Sequence, residues 1–598
     1  MNDYALRIES LRSLMNERGY DAVILTGSDP HGSEYPAGRW KQVQYLTGFT
    51  GEAGDVVVTS DHAGLWTDTR YFIQAIRQLE GTGVELHKTR VPEQVLIPEW
   101  LPRHFSSDSE IVLAVDALCV GADYVQGIVD SCEKAGVSVL VAAVPNLLDC
   151  LWKDRPSIPR TPVFTVDPGE SRVEKIEWLR DFCARNGCAG ILLSALDEIA
   201  WTLNVRASDI EYNPLVISYL LVTEERACWF VLKEGEEDGI SASAFDEIGA
   251  DGVEILPYSD LEIVLATEME GRLFIDPSKL NYHIFKAVSV LPTEEGESPV
   301  ALRKAVKNPV EIRGMKACQI RDGVAMEKFL YWLETSVREG RRVDEWEASV
   351  YLSGLRAENP EYVSDSFETI SAYGPGAALP HYSTPRDGAP VIEPRGLYLC
   401  DSGGQYTDGT TDITRTIPMG ECTPLEKEDY TLVLKCHIDL AMAVFPEGTP
   451  GCRLDILARE PLWSHKRNFG HGTGHGVGYF LGVHEGPHEF RQNFNSVPLA
   501  PGMDVTIEPG IYREGRHGVR HENMVFCVPA GENDFGRWMQ FETITLCHFD
   551  TSAVVRELLT EDERKWLNAY NARVRETLSP LLPPEVALWL KSKTSPLD

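Results

Sequence analysis

Asp401 and Asp412 bracket the segment DSGGQYTDGTTD, a glycine-bearing turn followed by threonines. Aspartate and glycine are ordinary turn residues, so the pair alone carries little weight. The flanks carry more. RGLYLCD is a short apolar run that ends on Asp401 and reads as a buried strand. TDITRTI alternates, with Asp412, Thr414 and Thr416 on one face. The two aspartates are thus expected on consecutive strands, facing each other across a hairpin. Carboxylates that close repel unless a proton or a cation sits between them.

Further along, HGTGHGVGYFLGVHEGP (471–487) carries His471, His475 and His484. Its glycines lack the lysine and the strand–loop–helix context of a phosphate loop. Glycine between histidines instead lets imidazoles crowd around one point. GMDVTIEPGIY (502–512) alternates Asp504, Thr506 and Glu508 on one face, and Pro509-Gly510 ends the strand. GVRHENMVF (518–526) follows, with Arg520 and Glu522 two residues apart on one face. Strands therefore end in Asp401, Asp412, Glu508 and Glu522, with His475 between. Four carboxylates and one imidazole are enough for two divalent cations, and hard ligands of this kind suit manganese, magnesium or cobalt better than a lone structural zinc.

The elements that must position these residues belong to a chain of 598 residues, too long for one core. Hydrophobic residues make up 43% and charged residues 25%, as in globular proteins. A net charge of −35 argues against nucleic acid and against an anionic membrane as partners. It is compatible with a substrate that carries a free amine. The N-terminal stretch has no apolar core of a signal peptide, and no apolar run is long enough for a membrane span. Thirteen cysteines are scattered singly, which reads as reduced thiols in a cytoplasm.

An internal repeat is visible. YALRIESLRSLMNERGYDAVILTG (4–27) resembles RVEKIEWLRDFCARNGCAGILLSA (172–195) as helix, glycine, then buried strand. An offset of 168 aligns Ile8 with Ile176 and Leu11 with Leu179. VVVTSDHAGLW (56–66) and YLLVTEERACW (219–229) then echo each other as hairpins. A proline-rich linker at 153–164 separates the copies, and a charged connector at 297–314 leads into a long helix that starts after Asn308. The expected domains are 1–158, 159–308 and 309–598, the last with a C-terminal extension.

The ordered set Asp401, Asp412, His475, Glu508, Glu522 resembles the ligand set of the pita-bread metallopeptidases. The stretches SEYPAGRWKQVQYLTGFTGEAG, LDEIAWTLNVRASDIEYNP and EPGIYREGRHGVRHEN, with those above, are similar to the long, three-domain, cytosolic type of the Xaa-Pro aminopeptidase family. The resemblance implies a mixed α/β (α+β) protein, with two duplicated creatinase-type domains followed by a pita-bread metallopeptidase domain. It implies a metal-dependent aminopeptidase that cuts the bond before a penultimate proline, by a water or hydroxide bridging two divalent cations, manganese by family likeness. Asp401 would hold one cation, His475 and Glu508 the other, with Asp412 and Glu522 bridging. Glu508, His484 and His381 would be catalytic, and His381, His471, His484, Tyr512 and Arg520 would bind substrate. A cytoplasmic homodimer acting on peptides is expected. His517 and His521 replace residues more often apolar in the family, which bears on the pocket edge. Prolidase, a dipeptidase lacking the second N-terminal copy, and a catalytically dead peptide-binding module are the alternatives; the intact ligand set argues against the latter.

Overall fold

The computed structural model describes residues 2–232 and 239–597. The chain divides into two compact units, Met1–Val300 and Ala301–Asp598.

The first unit contains the repeat twice over. Helix Asp3–Arg18 buries Ile8, Leu11 and Met15 and ends at Gly19, whose φ of 70° is the left-handed conformation glycine tolerates best. Helix Arg172–Arg185 buries Ile176, Leu179 and Cys183 and begins with a capping box between Ser171 and Glu174. Each helix precedes an all-buried strand, Ala22–Leu25 or Gly190–Leu193. The first sheet runs, edge to edge, Glu85–Lys88, Ala63–Thr67, Asp55–Thr59, Ala22–Leu25, Glu110–Val115, Ser138–Ala143. The second runs Val253–Pro257, Ala227–Val231, Ser218–Thr223, Gly190–Leu193, Leu273–Ile275, Thr293–Glu295. The two orders are identical position by position, and both hairpins read from the sequence are antiparallel pairs. Polar contacts join the copies: the His31 ring bonds the Ser194 carbonyl at 2.9 Å, and Asn281 Nδ2 donates to the Pro30 carbonyl at 2.8 Å.

The second unit is organised around helix Pro309–Arg338. Asn308 and Glu311 form a capping box at its start, and Pro309 occupies the first turn, where its missing N–H goes unneeded. A three-stranded sheet sets Leu397–Ser402 between Ile370–Tyr373 and Ile413–Pro418. A four-stranded sheet runs Val444–Pro446, Gly536–Thr543, Asn523–Asn533, Asp504–Ile507. Helix Pro424–Ala441 packs with the buried faces of these strands into one apolar core.

The strands differ from the sequence reading at their ends. Only Asp401 lies inside a strand; Asp412 precedes Ile413, and Glu508 follows Ile507. The segment 518–526 contains parts of two strands, His517–Arg520 and Asn523–Asn533. It breaks at His521-Glu522, because Arg520 pairs with Gly510 whereas Asn523 pairs with Ile507. Glu522 therefore sits where the backbone changes partner, and its N–H donates to the Thr414 carbonyl at 3.0 Å. The Asp401–Asp412 turn also carries a small hairpin of its own, Gly404–Tyr406 with Gly409–Thr410, in a separate sheet.

Gly403 explains why that turn needs glycine: a Cβ there would lie 1.9 Å from the Thr411 carbonyl oxygen. We expect Gly403→Ala to lower the unfolding free energy by about 1–3 kcal/mol, the scale of overpacking against backbone. Gly354, inside helix Glu345–Arg356, has open space where a Cβ would point, with nothing within 4 Å. It should behave oppositely, gaining up to about 1 kcal/mol as alanine. Urea denaturation of both variants measures this, and equal stabilities for the two would refute the steric account.

Candidate metal centre

Leu397–Ser402 and Ile413–Pro418 pair with Asp401 opposite Thr414. Asp412 lies two residues before Thr414, and period-2 alternation returns it to the face that carries Asp401. The two are near enough that the charge on Asp412 opposes ionisation of Asp401. Asp412, His475 and Glu522 each offer a ligand atom, all within 4.8 Å of one another. His475 Nε2 stands 3.4 Å from Asp412 Oδ2 and 3.6 Å from Glu508 Oε1. All five expected ligands thus surround one small volume.

The histidine is oriented for that volume. His475 lies in strand Gly474–Gly476, and its N–H donates to Thr506 Oγ1 at 3.1 Å. Its Nδ1 is 2.9 Å from the Gly476 carbonyl oxygen, which can only accept, so Nδ1 carries the proton. Nε2 then presents a lone pair to the carboxylates, the arrangement typical of a metal-ligating histidine.

Charge bookkeeping points the same way. Burial, followed by neighbouring carboxylates, holds Glu522 well above the usual carboxylate range. Burial also raises Asp401, against the pull of Arg520. Glu508 is raised from the ordinary 4.5 to about 7, by burial first, with Asp412 and Asp401 adding to it and His475 and Arg520 opposing. Asp401 Oδ1 and Glu522 Oε1 are buried and accept no hydrogen bond from any of the described residues. Orphaned, mutually repelling carboxylate oxygens next to a free imidazole lone pair fit divalent cations.

Arg520 is the fixed positive charge here. It donates from Nε to Asp401 Oδ2 at 3.1 Å, with a second bond from Nη2 to the same oxygen, and from Nη1 to the Tyr512 hydroxyl at 2.8 Å. Tyr512 in turn lies 2.8 Å from His471 Nε2. His471 Nδ1 faces the Gly472 carbonyl at 2.6 Å, so its Nε2 accepts from Tyr512. Burial, with the Arg520 charge second, lowers His471 to about 3 and keeps it neutral. His484 is exposed, its ring centroid 4.4 Å from that of His475. His381 is close enough for its charge to oppose protonation of His471.

His517 and His521 do not line a pocket edge. His517 is buried against Asp429, at 2.9 Å. His521 is fully buried against Tyr430 and Phe549. Both fill interior space behind the site. One supporting residue had no sequence signal. Glu345 accepts from the Tyr373 N–H at 2.6 Å and the Tyr382 hydroxyl at 2.7 Å, tying down both ends of the loop that carries His381. Thr414, by contrast, was visible on the Asp412 face; its hydroxyl donates to Glu522 Oε2 at 2.8 Å.

Family models match along the chain: metallopeptidase family M24 over 313–529, the C-terminal region of that peptidase over 537–597, and a creatinase/prolidase N-terminal domain over both 7–143 and 154–311. The chain is 38% identical to a probable Xaa-Pro aminopeptidase P of Sordaria macrospora, over 99% of each chain. It is 35% identical to aminopeptidase P1 of Arabidopsis thaliana, again over 99% of each. Its fold is similar to that of X-prolyl aminopeptidase from Caenorhabditis elegans, described as a cytosolic enzyme with a di-nuclear active site: TM-score 0.93, 35% identity, 99% of this chain and 100% of that one. Xaa-Pro dipeptidase from Bacillus anthracis matches at 28% identity and TM-score 0.51, covering 63% of this chain and 99% of its own.

The raised carboxylates carry a pH signature. A carboxyl that titrates higher folded than unfolded binds more protons in the folded state, so its contribution to stability falls as pH rises between the two values. For Glu508 that window runs from 4.5 to about 7. We expect chelator-treated protein to lose unfolding free energy as pH rises from about 5 to about 7, and added divalent cation to cancel the loss by favouring the charged forms. Urea melts at stepped pH, with and without cation, test this; identical pH slopes in the two series would contradict it.

Proposed function

Because this chain belongs to the Xaa-Pro aminopeptidase P family of M24 metallopeptidases, we propose that it releases the N-terminal residue from peptides with proline in second position. The observation that carries the reading is the convergence of Asp412, Glu508 and Glu522 on His475 Nε2, with Asp401 held beside them by Arg520. Asp401, Asp412, His475, Glu508 and Glu522 would hold two divalent cations, which we read as manganese. Bound there, the cations supply Lewis acidity to the scissile carbonyl and lower the pKa of an attacking water.

The remaining work falls to the protein. The Glu508 side chain is 20% exposed against 5% for Asp412, so among these two it faces the substrate side. It is placed to hold or accept the proton of the attacking water. His484, exposed beside His475, is placed to donate to the oxyanion that develops on the carbonyl. The amide nitrogen before a proline ring has no N–H, so the site must shape itself to the ring and deliver a proton to that nitrogen. His381, Tyr512 and the loop 373–381 frame that side. The Arg520–Tyr512–His471 chain fixes Tyr512 and keeps His471 neutral. The peptide amine meets acidic surroundings, which favours removal of one residue at a time.

We also read the chain as three domains, 1–158, 159–308 and 309–598, and as a cytoplasmic homodimer. In support of an aminopeptidase over a dipeptidase, the nematode enzyme matches both N-terminal copies, whereas the Bacillus dipeptidase spans 63% of this chain. No helix among the described residues is long and apolar enough to cross a membrane.

Specificity is the direct test. Replacing proline by alanine in second position, Arg-Pro-Pro against Arg-Ala-Pro, should lower kcat/KM at least about tenfold, the scale of lost ring contacts in a shaped pocket. Equal rates would indicate a general aminopeptidase, and activity on dipeptides alone a prolidase.

Ligand and substrate-side residues separate by metal content. Asp412→Ala should lose at least one cation and nearly all activity. His484→Ala should keep both and still lose roughly 10²–10⁴-fold in kcat, the scale for a positioned acid–base or oxyanion group. Elemental analysis with active-fraction-corrected kinetics decides; a His484→Ala enzyme with two cations and near-normal kcat removes His484 from the mechanism.

A further inference from the structure

The first N-terminal sheet carries a second group of ligand-type side chains. His62 precedes strand Ala63–Thr67, while Glu85 and His87 lie on Glu85–Lys88, the edge strand that pairs with it in parallel. The register sets Gly64 beside Glu85 and Trp66 beside His87. His62 Nε2 and His87 Nε2 face each other at 3.1 Å, and each of His62, His87 and Glu85 offers a ligand atom within 4.8 Å of the other two.

Two features indicate a built site. Gly64 leaves the space: a Cβ there would lie 2.6 Å from His62 Nε2 and 2.8 Å from His87 Cδ2. Two tryptophans fix the rings, with His87 stacked on Trp66 at 3.8 Å between centroids and 5° between planes, and His62 against Trp100 at 4.7 Å.

We propose that His62, His87 and Glu85 form a zinc-class transition-metal site, separate from the catalytic centre, that clamps the edge strand Glu85–Lys88 to its neighbour. Two imidazole nitrogens about 2.0–2.1 Å from one tetrahedral zinc ion lie roughly 3.3 Å apart, close to the separation seen. Two nitrogens and one carboxylate oxygen are a common zinc donor set, with the fourth position left to solvent. This donor set is softer than the oxygen-rich centre of the second unit, so the two sites differ in the metal they favour. Glu85 is 69% exposed and can swing onto the ion without disturbing the core. A metal there would pin the sheet's outermost strand by its side chains.

The test uses the full-length protein dialysed against zinc chloride, with zinc content measured by elemental analysis. Wild type should retain one zinc more than His62→Gln/His87→Gln, since both keep the same catalytic residues. Zinc should slow amide exchange across residues 85–88 in wild type and leave it unchanged in the double variant. Should the double variant fail to fold, Glu85→Gln alters only an exposed side chain and should weaken this zinc about tenfold or more. Equal zinc content with unchanged exchange, or unaltered affinity in Glu85→Gln, overturns the assignment and leaves the two rings sharing an N–H···N hydrogen bond. Peptidase activity does not enter the readout, so the outcome is independent of the proposed reaction.

Discussion

Four carboxylates cannot occupy one buried volume as four anions, and the second unit is arranged around that constraint. Asp401, Asp412, Glu508 and Glu522 come together from separate stretches of chain, and the neighbouring carboxylates add to burial in raising the cost of ionising Asp401, Glu508 and Glu522. Arg520 offsets one charge at Asp401. Among the described residues, no donor reaches Asp401 Oδ1 or Glu522 Oε1. The fold therefore holds a local excess of negative charge that only cations or protons relieve. Behind it, Arg415 holds the backbone where the strands part. Its Nη1 donates to the Thr414 and Glu522 carbonyls at 2.9 and 2.6 Å, and its Nη2 to Asn523 Oδ1 at 2.7 Å. That clamp keeps Glu522 in place against repulsion that would push the junction open.

A second buried network braces the other side. Lys304 and Lys307 pair with Glu485 at 2.8 and 2.5 Å, and Lys307 reaches Asp504 at 3.3 Å. All four side chains are nearly inaccessible, so removing any one would strand an uncompensated charge. Glu485 follows His484, and Asp504 begins the strand that leads to Glu508. Two cations against two anions make this network neutral, in contrast to the metal centre. Neutral polar bracing around a charged centre lets the centre's excess charge act on ligands without loosening its walls.

The division between what the sequence disclosed and what it withheld follows from range. Period-2 alternation placed Asp412 with Thr414 and Asp504 with Thr506, because side-chain direction in a strand is a local property. The helix after Asn308 and the duplicated sheets were legible for the same reason: caps and buried runs are written in consecutive residues. The change of partner across His521-Glu522 was not, since Arg520 pairs with Gly510 and Asn523 with Ile507, and nothing local marks that exchange. Asp429 as the partner of His517 and Glu345 as the anchor of the His381 loop are likewise contacts made across the fold. Their residue types carry no chemistry until the fold brings them to a partner.

The glycines of the histidine segment illustrate how one sequence feature can serve an unexpected purpose. In HGTGHG both His471 and His475 are followed by glycine, and each imidazole Nδ1 donates to the carbonyl of that glycine. The same local bond fixes the tautomer twice, leaving Nε2 as the acceptor on both rings. At His475 that lone pair faces the carboxylates; at His471 it receives the Tyr512 hydroxyl. The glycines also permit the approach of neighbouring backbone. A Cβ at Gly474 would sit 1.8 Å from the Thr506 carbonyl, and one at Gly476 would sit 2.5 Å from that of Glu485. Strand Gly474–Gly476 can press against the strand leading to Glu508 on one side and against Glu485–Phe490 on the other only because those side chains are missing. The glycine spacing thus produces a closely packed strand, and the imidazole reaches the carboxylates with its proton already on the far nitrogen.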